Sequence, residues 1–452
     1  MKILIAGCGK IGSEILVSLV SEGHDVTILD TDSSVITELT NIYDVIGVCG
    51  NCTDCETLSE AGVEDTDMYI AVAGSDELNM LSCFIAKRMG AKHTIARIRN
   101  PEYNDSSLDF MRQQLDLSMS INPEMLAAEA LNNILKLPSA LKIETFSRRN
   151  FEMIELHLKE NSLLNGLKLS ELRDKYKAKV LVGVVQRGDE VHIPDGSFIL
   201  KSGDRIGITA TASEIQKFLR SIGVLQKQAR SVMILGGSKT AYYLAKKLET
   251  AGTSVRIIEK DPKLCAELCD ALPKAFILNG DGAKQELLTE EGIASQDAFV
   301  SLTGIDEENI LISYFAMSQN VPKVITKVNR DELMPLAEKL GLDCIISPKK
   351  IIVDVIVKYA RALRSSLGSN VETLYKLMDG KAEALEFKVS SDWPMLRKPL
   401  RELSFKRNIL IAGIIRDRKT IIPAGDDVIL PGDHVIVLAA DQILSDMSDI
   451  LV

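Results

Sequence analysis

The sequence predicts an α/β protein that repeats itself: a parallel-sheet domain followed by a small α+β domain, then both again. Two observations carry this expectation. Short apolar strands alternate with helical spacing at the front of each half, the pattern of a parallel sheet covered on both faces. Matched residues also recur at a fixed distance along the chain. Gly7 and Gly236 stand 229 positions apart, as do Asp30 and Glu259.

In the first copy the expected strands are Lys2–Ala6, Asp25–Asp30, Val45–Val48, Met68–Val72 and Thr94–Ile98. Further on the offset becomes 230: Gly74-Ser75-Asp76-Glu77-Leu78-Asn79 faces Gly304-Ile305-Asp306-Glu307-Glu308-Asn309, and Arg97 faces Lys327. The small domains repeat as well. Ile193-Pro194-Asp195-Gly196 faces Ile422-Pro423-Ala424-Gly425, and Gly203-Asp204 faces Gly432-Asp433. In the first small domain, Glu152–Leu158, Lys179–Gln186, Phe198–Ile199 and Asp204–Thr209 read as strands. Glu124–Leu137 and Lys350–Ser365 read as helices joining the two kinds of domain. The expected divisions are 1–137, 138–227, 228–365 and 366–452.

Composition narrows the function. A hydrophobic share of 46% and a charged share of 26% supply several cores and argue against disorder. The longest apolar runs, such as Val180–Val185 and Val435–Ala440, have strand length; a membrane span needs about 18 residues. The chain opens directly on a strand, so no signal peptide is expected. The net charge of −10 disfavours a nucleic-acid partner, which calls for a basic surplus. Eight cysteines in 452 residues are too few for a disulfide scaffold and fit a reducing cytoplasm.

Gly7-Cys8-Gly9-Lys10-Ile11-Gly12 is a complete G-x-G-x-x-G between a strand and a helix. The first glycine permits the turn, the second admits phosphate to the backbone, and the third lets helix and strand pack closely. The helix N-terminus adds amide donors and partial positive charge. Asp30 follows where an acid bonds ribose hydroxyls, which makes this a Rossmann-like dinucleotide unit and disfavours a 2′-phosphate. The second copy reads Gly236-Gly237-Ser238-Lys239-Thr240-Ala241, with Glu259 in the acid position. Ser238 stands where phosphate should approach, so occupancy of this site stays open.

Candidate nucleotide contacts follow from both turns and from the loops at the carboxyl ends of the strands. In the first copy they are the turn residues Gly7 to Gly12, Asp30 and Thr31, Asn51 and Cys52, then Ala73, Gly74, Ser75, Asp76, Asn79 and Arg97. In the second they are Gly236, Ser238, Lys239, Thr240, Glu259, Gly280, Asp281, Thr303, Gly304 and Lys327. Asp76, Glu77 and Asn79 also suit helix capping, and Arg97 suits either a phosphate or a carboxylate such as Asp76.

Some residues invite other chemistry. Cys49, Cys52 and Cys55 have cluster-like spacing, but no fourth cysteine completes it, and the second copy has none there. Cys265 and Cys269, one helical turn apart, read as packing residues. His24, His93, His157, His192 and His434 form no zinc pair, and no nucleophile–base constellation is visible. No catalytic or metal-binding residue is therefore assigned. An NAD-dependent dehydrogenase would carry a substrate domain with an acid–base residue, and the chain spends that length on its second copy. A redox-sensing regulator is the other rival, disfavoured by the acidic balance.

Ile3–Gly12 with Asp30, the run Ala96-Arg97-Ile98-Arg99-Asn100-Pro101-Glu102-Tyr103 and the tandem arrangement resemble the TrkA family. These are peripheral nucleotide-binding subunits of Trk-type potassium uptake systems, built from RCK (KTN) domains. The resemblance covers essentially the whole chain. It implies binding of NAD(H), ATP or ADP through Gly7, Gly9, Gly12, Asp30, Gly74, Asp76 and Arg97, and through Gly236 and Glu259 in the second copy. It also implies a cytoplasmic place at the inner face of the membrane and a membrane-embedded Trk-type channel subunit as partner. Assembly would be a ring of two or four tandem chains. The small RCK-C (TrkA-C) domains would be second sensors, with a cyclic dinucleotide or metal ion as possible ligand. Family members often carry Gly-Asp after the third strand, where this chain has Gly50-Asn51 and then Gly280-Asp281.

Overall fold

Each glycine turn feeds a strand into a helix, and the alternation that follows builds a sheet one crossover at a time. The computed structural model describes residues 1–103, 105–146, 151–365, 371–417, 419–442, 444 and 446–452. The first half opens with β1 (Lys2–Ala6), α1 (Lys10–Ser21), β2 (Asp25–Asp30), α2 (Ser33–Ile42), β3 (Ile46–Cys49) and α3 (Cys55–Glu60). It continues with β4 (Met68–Ala71), α4 (Asp76–Met89), β5 (His93–Arg97), α5 (Asp105–Gln114), β6 (Met119–Ile121) and α6 (Pro123–Lys136). The sheet order is β3-β2-β1-β4-β5-β6, and every pairing is parallel. This is the doubly wound order, whose crevice lies where the connections reverse, beside β1 and β4.

The small domain comprises β7 (Lys142–Thr145), β8 (Glu152–His157), α7 (Leu169–Tyr176), β9 (Leu181–Arg187), β10 (Glu190–His192), β11 (Arg205–Ala210) and α8 (Ala212–Ser221). Its sheet, β10-β9-β11-β8-β7, is antiparallel. Phe198–Ile199, expected as a strand, forms only an isolated bridge from Ile199 to Lys168. The short edge strand β7 was not expected.

The second half repeats both. It runs β12 (Ser231–Leu235), α9 (Lys239–Thr250), β13 (Ser254–Glu259), α10 (Pro262–Ala271), β14 (Phe276–Asn279) and α11 (Gln285–Glu290). Then come β15 (Ala298–Ser301), α12 (Asp306–Ser318), β16 (Lys323–Lys327), α13 (Met334–Lys339), β17 (Ile345–Ile346) and α14 (Pro348–Ser365). The last strands are β18 (Val371–Leu377), β19 (Ala382–Lys388), β20 (Ile409–Arg416), β21 (Lys419–Ile421) and β22 (His434–Ala440). The sheet orders, β14-β13-β12-β15-β16-β17 and β18-β19-β22-β20-β21, are those of the first half. The fold is a tandem duplication of a Rossmann-like unit and a small α+β unit.

Like packs with like. One compact unit holds Met1–Glu129 and Ser231–Ala360, the two parallel sheets; the other holds Ala130–Arg230 and Arg361–Val452, the two antiparallel ones. In the first unit several contacts tie the copies together. The Tyr243 hydroxyl donates to the Arg99 carbonyl (3.1 Å) and accepts from Asn122 Nδ2 (3.0 Å). Lys349 pairs with Glu14 at 2.8 Å. In the second unit one apolar cluster spans both copies, with Phe146, Phe151 and Met153 against Leu377, Ala384 and Leu438. There the Gly203-Asp204 and Gly432-Asp433 motifs are structural. Buried Asp204 accepts from Arg187 Nε (2.7 Å) and the Lys201 amide (2.8 Å). Asp433 does the same with Arg416 Nε (2.9 Å) and the Leu430 amide (2.8 Å).

Candidate functional site

β1 ends in a turn that requires glycine at its first position. Gly7 has φ +94°, and a Cβ there would sit 2.7 Å from the Ala73 nitrogen, in a region L side chains avoid. A Cβ on Gly12 would run into the Gly7 carbonyl oxygen. Gly9 differs: a Cβ on it would meet nothing within 4 Å. Gly9 is the N-cap of α1, and no side chain caps that end. The protein's own packing therefore does not demand a glycine here, and the space above the first-turn amides is open, where an anion sits best.

Asp30 closes β2 beside this turn. Its Oδ2 accepts from the Cys8 amide (2.6 Å) and its Oδ1 from the Asp32 amide (3.0 Å). Each carboxylate oxygen keeps a further lone pair, so Asp30 can hold the turn and still accept from a ribose hydroxyl. Burial, and then the Asp30 carboxylate, push the Cys8 thiol up to about 12, so that thiol packs and does not react.

The second turn keeps the shape and fills the space. Gly236 has φ +91°, and Glu259 Oε2 accepts from the Gly237 amide (2.6 Å) as Asp30 does from Cys8. Ser238 caps α9, its hydroxyl accepting from the Ala241 amide at 3.4 Å. The side chain thus occupies the place that is open at Gly9.

The two copies face each other across a crevice of about 1360 Å³. From the first copy come Gly7, Gly9, Lys10 and Ile11, Asp30 and Thr31, Asn51 and Cys52, Ala73 and Gly74, and Arg97. From the second come Ser238, Lys239, Thr240, Gly304 and Lys327. Arg99, Glu124, Asp306, Glu307, Asn329, Arg330 and Lys349 also line it. Arg97 Nη2 donates to the Ala73 carbonyl at 2.6 Å, and Lys327 Nζ to the Leu302 carbonyl at 3.3 Å. Burial holds both cations below their usual range; Arg99 adds to the effect on Arg97.

Comparison with known proteins fits this geometry. The TrkA-N domain family matches residues 3–116 and 232–348, and the TrkA-C domain family residues 153–223 and 384–452. The Trk system potassium uptake protein TrkA homolog 1 of Methanosarcina mazei is 31% identical over 99% of this chain and 99% of its own length.

The chain belongs to the TrkA family.

TrkA of Haemophilus influenzae is 29% identical, with 98% of this chain and 96% of that protein covered. Among solved structures the GsuK RCK domain shares the fold at a TM-score of 0.64 and 16% identity, covering 97% of this chain and 92% of its own. The GsuK channel bound to NAD gives 0.63 and 15% identity, with coverage of 97% and 77%.

Within this TrkA fold, several expected contacts are architectural. Cys8 is buried and does not line the crevice, nor does Gly12. Ser75, and not Asp76 or Asn79, caps α4, accepting from the Leu78 amide at 3.2 Å. Asp76 is buried, and its Oδ2 accepts from the Arg99 (2.8 Å) and Asn100 (2.7 Å) amides. That leaves Arg97 to the Ala73 carbonyl and not to Asp76. Asn79 joins the Ala73 amide (2.7 Å) to the Arg97 carbonyl (2.9 Å). Asp306 and Asn309 make the same bonds in the second copy. Gly236, Glu259, Gly280, Asp281 and Thr303 lie away from the crevice. Glu124, Arg330 and Lys349 had no sequence motif to announce them; Arg99 lay in the run Ala96–Tyr103 but was not picked out as a contact. Of the three clustered cysteines only Cys52 lines the crevice. Burial raises its thiol.

The residues fit a nucleotide on two observations. One is the open space at Gly9. The other is a set of buried polar atoms without a partner among the described residues: Arg97 Nε, Arg99 Nε and Glu124 Oε2.

Proposed function

We propose that this chain is a nucleotide-sensing regulatory subunit of a potassium transport system. In this reading it binds NAD(H), or ATP and ADP, in the first copy's half of the shared crevice. The observation that carries the reading is a TrkA-family chain, matched over 99% of its relative's length, whose open glycine turn faces the other copy across one crevice. No helix of the described chain is long and apolar enough to cross a membrane. In this reading the transport path belongs to a partner. That partner is a membrane-embedded Trk-type channel subunit, with this chain peripheral on its cytoplasmic side as a dimer or tetramer. The domain divisions follow the four expected segments.

The chain's own residues do the work of sensing. Asp30 accepts from a ribose hydroxyl, the α1 amides receive the pyrophosphate, and Arg97 and Lys327 supply charge from either wall. A bound nucleotide supplies only shape and charge. It shifts the arrangement of the two copies to the extent that it binds one arrangement better, and the partner's gate follows. Hydride transfer is not part of the reading; no histidine lines the crevice among the described residues. TrkA relatives are named for potassium uptake, and the GsuK channel of like fold was solved with NAD.

The test is reconstitution of the full chain with its co-purifying membrane partner in vesicles. Potassium flux is read with NADH, NAD⁺, ATP and ADP, and NADH absorbance with carbonyl acceptors. Nucleotide-dependent flux with stable NADH is expected. Flux indifferent to every nucleotide at confirmed saturation, or stoichiometric NADH oxidation, would overturn the reading.

A further inference from the structure

We propose that the basic stretch 168–179 of the first small domain is a docking surface for the acidic sheet edge of a second copy of this chain. The proposal does not rest on the nucleotide reading.

Charge is divided unevenly along the chain. Residues 1–129 hold 8 lysines and arginines against 21 acids, and residues 130–230 hold 17 against 11. Each excess is local. Between Lys10 and Lys87 there is no lysine or arginine, and there are 15 acids. The stretch 168–179 holds Lys168, Arg173, Lys175, Lys177 and Lys179 against Glu171 and Asp174. Those five cations are exposed, and none is in an ion pair among the described residues.

The acids gather where the first parallel sheet ends. β3 has a neighbouring strand on one side only, and α2 and α3 precede and follow it. Glu38, Asp44, Asp54, Glu56, Glu60 and Glu64 lie on or beside these elements. They too are exposed and outside any ion pair among the described residues. Ile42 and Ile46 stand among them, 62% and 66% exposed. The basic side has an apolar member as well. Leu163 is 58% exposed, and its carbonyl accepts from the Tyr176 hydroxyl of α7 at 3.1 Å. Apolar side chains ringed by complementary charge are the ordinary make-up of a protein–protein contact.

The second copy answers its edge charge from within. Its matching stretch, residues 240–316, holds seven lysines and arginines. Phe276 takes the place of Ile46, with the Arg256 guanidinium 5.5 Å from its ring centre, and Arg256 pairs with Glu291 at 3.2 Å. In the first copy Thr27 stands where Arg256 does, so the edge is left for a partner's cations. Acids on an edge strand also discourage pairing between sheets. That role would be indifferent to the charge of α7, so the two are separable.

The experiment is sedimentation velocity of the full chain over a range of protein concentration, at about 0.1 M and about 1 M sodium chloride. Between these the screening length falls from about 10 Å to about 3 Å. The proteins are wild type, Arg173→Glu with Lys175→Glu, Glu38→Lys with Glu60→Lys, and all four changes together, each checked by thermal melting. Wild type should associate at least about tenfold more tightly at the lower salt. Either pair of reversals should remove that gain. All four together, or an equimolar mixture of the two double variants, should restore it to within about threefold, because opposite signs meet again. Salt-independent association of wild type would overturn the proposal, and so would a mixture as weak as its components. Capture of wild type by phosphatidylglycerol vesicles, lost on reversing Arg173 and Lys175 with self-association unchanged, would give the basic stretch to a membrane instead.

Discussion

The turn at Gly7–Gly12 and the turn at Gly236–Ala241 share a backbone shape and differ at the residue that opens the helix. Both first glycines take positive φ, +94° and +91°. Both acids accept from the same amide of the turn, at 2.6 Å. Then Gly9 leaves open space, whereas Ser238 folds its hydroxyl onto the Ala241 amide. The comparison separates two roles that a glycine motif runs together. The first glycine and the acid's bond to the turn amide serve the fold, and both copies keep them. The second glycine serves the ligand, and only the first copy keeps it. The small domains provide the contrast, because their Arg–Asp staples are matched in both copies.

That contrast can be broken first where the largest effect is expected. Arg187→Ala and Arg416→Ala each strand a buried carboxylate, Asp204 or Asp433. Each should cost about 3 kcal/mol, the low end for a broken buried pair because the guanidinium side is solvated. Chemical denaturation of the full chain would check this, and the two losses should agree within about 1 kcal/mol. A large loss in one copy alone would mean that the small domains have diverged as the turns have.

Asp30→Ala should weaken NADH binding by roughly 1–3 kcal/mol and narrow the preference over NADPH, since the charge facing a 2′-phosphate is gone. Glu259→Ala removes the same kind of turn bond but from a residue outside the crevice. It should lower the melting temperature and leave NADH affinity within about twofold. Titration of both variants sharpens the comparison, and equal losses of affinity would erase it.

The smallest effect is expected from Ser238→Gly. Losing the cap for glycine costs only a few tenths of a kcal/mol, and the Ala241 amide becomes free. A second, weaker nucleotide site should then appear in calorimetry. An unchanged stoichiometry would show that more than Ser238 closes the second turn.

Much of this was legible in the sequence because it is local or periodic. The fixed offset gave the duplication, and strand–helix alternation gave the parallel sheets. The turn residues Gly7, Gly9 and Gly12 with Asp30 gave the first half of the crevice. Part of what was not legible depends on contacts across more than 100 residues. Nothing near Tyr243 announces that its hydroxyl meets the Arg99 carbonyl, so the facing of the two copies left no motif. Asp76 was misleading for a related reason. An acid in the first turn of a helix reads as a cap, but its partners are amides 23 and 24 residues away. β7 was too short, at four residues, to give a period of two.

The central claim is that nucleotide binds against the open turn of the first copy, and Gly9→Val tests it most directly. A Cβ at Gly9 would meet no protein atom within 4 Å, so the variant should fold and melt close to wild type. Titration with NADH should give one tight site per chain in wild type and at least about a 100-fold weaker one in Gly9→Val, because the branched side chain takes the phosphate's place. Unchanged affinity in a Gly9→Val protein with wild-type melting would contradict the account.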